Sequence, residues 1–240
     1  MFKGFHNSNS SPLFRGIPNL NFQGNVNAYG FSGVSFWLDA AFGLNTQTNL
    51  GAISSWTPRF GRSTFEQSTA GNQPRLILTD TNYNNLPSVE AQSTNRFLIS
   101  TSGNLPYSRF CTIAVISKVN SAQAINSIIG LGNNGIIDGG TALNVNGFGF
   151  YPNGTPSFQG TTETSTARIK IMSFNTIVIN GVVEFTGTNN TGTFDFNTLF
   201  RVANTDMIGS IAEIISFNFS MTEQQCIDLS NNINQKYALY

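Results

Sequence analysis

Apolar and polar residues alternate along most of this chain, and the alternation begins at Val34. In Val34–Asp39 the positions Val34, Phe36 and Leu38 oppose Ser35, Trp37 and Asp39, the two-residue period of a half-buried strand. Residues 52–56, 75–79, 88–90 and 97–99 predict further short strands, divided by turns containing Asn, Pro and Gly. Residues 111–117 form the strongest mid-chain strand, and 127–130, 143–150 and 167–172 follow. The sharpest local signal lies in residues 176–185, where Asn180-Gly181 joins two β-branched runs. A type I′ hairpin turn needs positive φ at both central positions, which this pair tolerates. Residues 196–202 predict one more strand. About a dozen short strands with a turn every ten residues or so imply an antiparallel sandwich or barrel.

The pattern changes at both ends. Residues 207–217 are a dense β-branched run, too rich in Ile for an easy helix, and predict a central strand. In an unbulged strand Glu213 shares a face with Ile211 and Ile215, and a buried carboxylate there needs a partner such as Arg168 or Arg201. Ser220 and Glu223 then match a capping box, and Cys226, Leu229, Ile233 and Tyr237 follow at spacings of three and four. That spacing predicts one amphipathic helix laid against the body. Residues 1–33 carry no period at all. Phe2, Phe5, Leu13, Phe14, Ile17, Leu20 and Phe22 are scattered, singly or as the Leu13-Phe14 pair, among Gly, Pro, Asn and Ser, the pattern of an extended arm that docks on another surface. The expected organisation is therefore an arm, 1–33, and a domain, 34–240.

Composition narrows the function. Of 240 residues 40% are hydrophobic and only 10% charged, with Lys+Arg and Asp+Glu equal at 12 each. Globular chains average about 25% charged residues. A neutral chain without a Lys/Arg cluster lacks the electrostatic footprint of a nucleic-acid binder. Nothing near Met1 has the apolar core of an export signal, and no apolar run approaches the length of a membrane span. Cys111 and Cys226 both fall at core positions, where a thiol packs as a small hydrophobe; a disulfide between them is the lesser alternative.

Two groups of motifs resemble a known family. The first is Phe36-Trp37-Leu38-Asp39-Ala40, Ser54-Ser55-Trp56, Pro74-Arg75, Leu86-Pro87-Ser88-Val89, Phe97-Leu98 and the strand from Phe110 to Val115. The second is Gly209-Ser210-Ile211-Ala212-Glu213, with Ser220, Glu223 and Lys236-Tyr237. Their order is similar to that in concanavalin A-like (laminin-G-like) jelly rolls, over residues 34–240. The loop after Trp56, often WxDxSGxG in such domains, is degenerate here, which weakens any calcium-related role for it. The resemblance implies a two-sheet antiparallel jelly-roll sandwich with one C-terminal amphipathic helix, all-β otherwise. Low charge, polar loops and a non-globular arm are most similar to the virion proteins of tailed phages and large DNA viruses within that group.

Candidate chemistry is sparse. The only histidine, His6, lies in the arm, which argues against a His-dependent nucleophile and excludes His-rich metal sites. The glycan hydrolases of this fold carry carboxylates two and four apart on one strand; Glu66, Glu90, Glu163, Glu184 and Glu213 each stand alone. Asp138 in a Gly-rich stretch and Asp80 are too isolated for calcium. Asp39 reads as a turn-pinning residue. No cofactor motif is present. The leading expectation is a non-enzymatic virion structural protein, a decoration, cement or fibre component exposed on the particle, bound to neighbouring virion proteins or further copies through Phe2, Phe5, Leu13, Phe14, Ile17, Leu20 and Phe22. Deleting 1–33 is then expected to leave a folded domain. The alternative is a lectin-like module binding glycans through Asn82, Tyr83 and Asn84, or Tyr151 and Asn153, because tyrosine rings and amides are the groups that hold sugars.

Overall fold

The strand Gly209–Phe217 is the axis of the molecule, and it has hydrogen-bonded neighbours on both sides. In a computed structural model, which describes residues 26–102, 105–107, 110–119, 125–131, 134–139, 147–151, 158–159, 165–186, 194–202 and 205–240, this strand pairs along its length with Thr112–Val119. On its other side it pairs with Leu86–Ala91 through residues 209–211, then with Val34–Asp39 through residues 213–217. The sheet continues outward through Arg168–Met172, Thr176–Ile179 and Val182–Thr186 on one flank and Arg75–Asp80 on the other. All these pairings are antiparallel.

A second antiparallel sheet runs in the order Phe158–Gln159, Phe148–Tyr151, Asn134–Gly139, Ile125–Leu131, Thr198–Leu199, Leu98–Ser100, Phe65–Glu66 and Ser55–Trp56. The two sheets face each other across one apolar core. Ile113, Val115, Met172, Ile177, Ile211 and Ile214 come from the first sheet; Trp56, Phe65, Leu98, Ile129, Ile136, Phe148 and Leu199 come from the second. Burying each such side chain contributes about 1.5–3 kcal/mol against conformational entropy. The molecule is a jelly-roll-type β-sandwich, as expected.

A second core lies on the outer face of the first sheet. There Cys226, Leu229, Ile233 and Tyr237 of the helix Glu223–Tyr237 cover Ala114, Ile116, Ile169, Ile171, Val178 and Ile215. The helical stripe is the expected one. Its cap is not: Thr222 Oγ accepts from Gln225 N at 3.2 Å, and Gln225 Oε1 accepts from Thr222 N at 2.9 Å. Ser220 instead bonds Ser173 Oγ at 3.0 Å and accepts from Phe174 N, closing the turn between sheet and helix. The same capping-box chemistry fits both registers, and the turn geometry selects the later one.

Three further expectations change. Residues 26–33, assigned to the arm, pack on the body itself: Ala28 is buried, and Val26, Tyr29 and Phe31 lie against the outer core. The apolar arm residues Phe2, Phe5, Leu13, Phe14, Ile17, Leu20 and Phe22 lie outside the described residues. The expected strand at 196–202 is interrupted at Phe200, which is fully buried at φ +65°, leaving Thr198–Leu199 and Arg201–Val202. A bulge between Ile211 and Glu213 puts Ile211 with Ile214 in the inter-sheet core and turns Glu213 to the outer face, beside Ile215. The hairpin at Asn180-Gly181 forms as expected, with φ of 49° and 76°. Cys111 packs at the edge of the inter-sheet core and Cys226 in the outer core, so the two thiols occupy different layers.

Candidate functional site

Strand register builds the site. Arg75 is paired with Glu90, Glu90 with Ser210 and Ser210 with Lys118, so one row of residues crosses four strands of the first sheet. Their neighbours Leu76, Val89, Ala91, Val119 and Ile211 point into the inter-sheet core, which sends this row to the outer face. The row opens into a cleft of about 480 Å³, lined also by Asp80, Asn82 and Gln92. Gly209 forms part of the floor; a Cβ there would lie 2.2 Å from the Lys118 carbonyl oxygen.

The side chains of the cleft hold one another. Arg75 Nε donates to Glu90 Oε2 at 2.6 Å, with both groups about one-third exposed. Lys118 Nζ donates to Asn82 Oδ1 at 2.9 Å. Asn82 is fixed in turn by buried Asp80, whose Oδ1 accepts from the Asn82 backbone and amide nitrogens and whose Oδ2 accepts from Ser88 Oγ at 2.6 Å. Gln92 Oε1 is buried at the cleft wall with no hydrogen-bond partner among the described residues. Such an orphaned acceptor costs about 1–3 kcal/mol unless something donates to it.

The structure separates the three residues of the expected glycan loop. Asn82 lines the cleft. Tyr83 does not: it is fully buried, donates its hydroxyl to the Ser210 carbonyl at 2.9 Å and packs edge-on against Tyr237. A Thr81–Tyr83 3-10 turn, capped by Asp80, points the ring inward, where its large apolar area is worth most. Asn84 is exposed at φ +56° and bonds the Lys236 carbonyl at 3.4 Å, at the end of the helix. The side chain of Tyr151 and all of Asn153 lie outside the described residues. Arg75 belongs to the Pro74-Arg75 motif, but Glu90, Gln92 and Lys118 carry no motif that points to a site, and only knowledge of the register could have assembled the four.

Glu213 and Asp39 form a separate polar cluster with a structural task. Glu213, fully buried, accepts from Tyr29 Oη at 2.8 Å, Trp37 Nε1 at 2.6 Å, Tyr237 Oη at 2.5 Å and Lys236 Nζ at 2.9 Å. Its cation is Lys236, not Arg168 or Arg201; Arg201 pairs with Asp206 at 2.6 Å. Asp39 accepts from the Ala41 backbone, Arg59 and Lys236, pinning its turn as expected. Burial, and then the charge of Glu213, raise the Tyr29 and Tyr237 hydroxyls well above their ordinary value of 10.0. Among the described residues no group of three or more His, Cys, Asp or Glu side chains could hold a metal ion, and no helix is long and apolar enough to cross a membrane.

No protein-family model and no curated protein sequence matches the chain. Solved structures do. Domain 4 of the extracellular GH43 arabinanase AbnA from Geobacillus stearothermophilus, determined in complex with arabinotriose, aligns with a TM-score of 0.55 at 15% identity, covering 82% of this chain and 99% of that one. Trypanosoma rangeli sialidase aligns with a TM-score of 0.50 at 11% identity over 85% of this chain and 33% of the sialidase, so the chain spans about a third of that enzyme. At these identities the likeness is one of fold: the chain is a jelly-roll β-sandwich of the kind these proteins contain.

Proposed function

We propose that the chain is a non-catalytic glycan-binding module whose ligand lies along the Arg75–Glu90–Ser210–Lys118 row. The observation that carries this reading is the cleft itself. Cations, a carboxylate, a hydroxyl and amides converge there, beside a Gln92 acceptor that no described group satisfies. A sugar ring presents hydroxyls that donate and accept from neighbouring carbons, and it matches such a mixed lining better than an apolar or purely anionic ligand does. The arabinanase domain, solved with arabinotriose, supports the reading by its fold. The residues present offer binding: Asp80 is fully engaged by its own turn, and Glu90 is held by Arg75.

The test is a glycan array with the whole chain, followed by calorimetry on the hits. Glu90→Gln and Lys118→Ala are each expected to weaken binding by roughly 10- to 100-fold, the worth of one charge-assisted hydrogen bond. An array without hits, or hits indifferent to both substitutions, would sink the proposal. Attachment to a virion or comparable assembly through Phe2, Phe5, Leu13, Phe14, Ile17, Leu20 and Phe22 is a proposal about residues outside those described. It is tested separately, by asking whether a chain lacking residues 1–25 still incorporates into particles.

A further inference from the structure

Lys170, on the Arg168–Met172 strand, reaches into the space between the sheets, and its side chain is fully buried. Its Nζ contacts Oδ2 of Asp138, a fully buried residue of the Asn134–Gly139 strand in the opposite sheet. Ser117 Oγ lies 3.2 Å from the same nitrogen. The other carboxylate oxygen, Asp138 Oδ1, is buried with no hydrogen-bond partner among the described residues. An ion pair taken wholly out of water survives when further hydrogen bonds satisfy both groups, and here one oxygen has none. Neither the cleft nor the proposed glycan site uses these residues. What the interior holds is a primary amine against a carboxyl group, in a place sealed from solvent.

We propose that Lys170 and Asp138 condense into an intramolecular isopeptide bond that joins the two sheets covalently. The ammonium passes one proton to Asp138 Oδ2, giving a free amine and a carboxylic acid. The Nζ lone pair adds to Asp138 Cγ and forms the new C–N bond. Ser117 Oγ accepts a second proton from the nitrogen and relays it to the departing oxygen. The C–O bond breaks, and that oxygen leaves as water with both protons. Ammonium and carboxylate thus become one secondary amide and one water, with no change of oxidation state. Such a condensation is unfavourable between free groups in water. Holding the two atoms in contact on strands of a packed core supplies the proximity, worth an effective molarity of about 10⁵–10⁸ M in well-oriented systems. A lysine amine desolvated in an apolar site is a competent nucleophile, and the same seal keeps out the water that would reverse the step.

The experiment is an intact mass of the purified whole chain under denaturing conditions, followed by a protease map. The expected mass is lower than the sequence mass by one water, with a branched peptide in which Lys170 is bonded to Asp138. Lys170→Arg keeps the positive charge but removes the amine. That variant is expected at its full sequence mass with no branched peptide. A wild-type chain at its full sequence mass with separate linear peptides would show an ion pair only and overturn the proposal. So would a water lost elsewhere, or ammonia lost with a branch from Lys170 to Asn126, the cross-strand neighbour of Asp138.

Discussion

Glu213 shows how one buried charge organises its neighbourhood. Four donors from three separate stretches of chain, Tyr29, Trp37 and the Lys236–Tyr237 pair, converge on its carboxylate. Glu213→Ala leaves the Tyr29, Trp37 and Tyr237 donors without this acceptor, with Lys236 keeping only Asp39, and is expected to destabilise the protein by about 3–5 kcal/mol in urea denaturation. Glu213→Gln keeps one acceptor oxygen and is expected to cost roughly half as much. The tyrosines impose a pH dependence. Burial and the Glu213 charge hold Tyr29 and Tyr237 protonated above their ordinary 10.0, and burial pushes the Cys226 thiol from 9.0 up to about 12. Unfolded, these groups lose their protons near their ordinary values, so above about pH 9 the unfolded chain binds fewer protons than the folded one. Stability is therefore full below that pH and falls as pH rises. The limiting slope is about 1.4 kcal/mol per pH unit for each buried group. Urea midpoints measured at about pH 8, 9, 10 and 11 check the sign, and Tyr29→Phe is expected to flatten the decline.

The closing helix shows what an element owes to its ends and to its face. Its buried stripe needs only the 3.6-residue period, so Cys226, Leu229, Ile233 and Tyr237 are legible in the residue spacing alone. The cap is ambiguous in sequence because Ser220/Glu223 and Thr222/Gln225 both satisfy the same local rule. Only the second lies where the backbone enters the helix, since Ser220 is drawn away to Ser173. Thr222→Ala is expected to cost about 1 kcal/mol and to fray the first turn in circular dichroism. Ser220→Ala is expected to leave helical ellipticity unchanged; equal fraying in both variants would contradict the assigned cap. The hairpin at Asn180-Gly181 is legible for the same reason as the stripe, because its information lies within four residues.

Taken as one body, the protein extends further toward the N-terminus than Val34. Ala28 is buried, Tyr29 reaches Glu213, and Asn232 of the helix donates to the Tyr29 carbonyl at 3.0 Å. A chain starting at Val34 loses these contacts, whereas one starting at Val26 keeps them. The shorter chain is expected to be less stable by about 3 kcal/mol, lowering the thermal midpoint by roughly 6–12 °C. Equal midpoints would show that residues 26–33 contribute nothing to the body. The alternation of the chain does not reveal this stretch, because its apolar residues dock singly on an existing surface and need no period to do so.

Alternation, turn chemistry and the helical stripe are properties of neighbouring residues. They suffice to define most of the strands, the hairpin, the single helix and the sandwich these imply. Register, bulges and the burial of one loop residue depend on partners more than a hundred positions away, as in Tyr83 with Ser210 or Trp37 with Glu213. It took the packed fold to make Tyr83 core, to turn Glu213 toward the helix, and to set Arg75, Glu90, Ser210 and Lys118 in one row. The same packing brings Lys170 against Asp138, because a side chain's chemistry is set by what the fold places beside it.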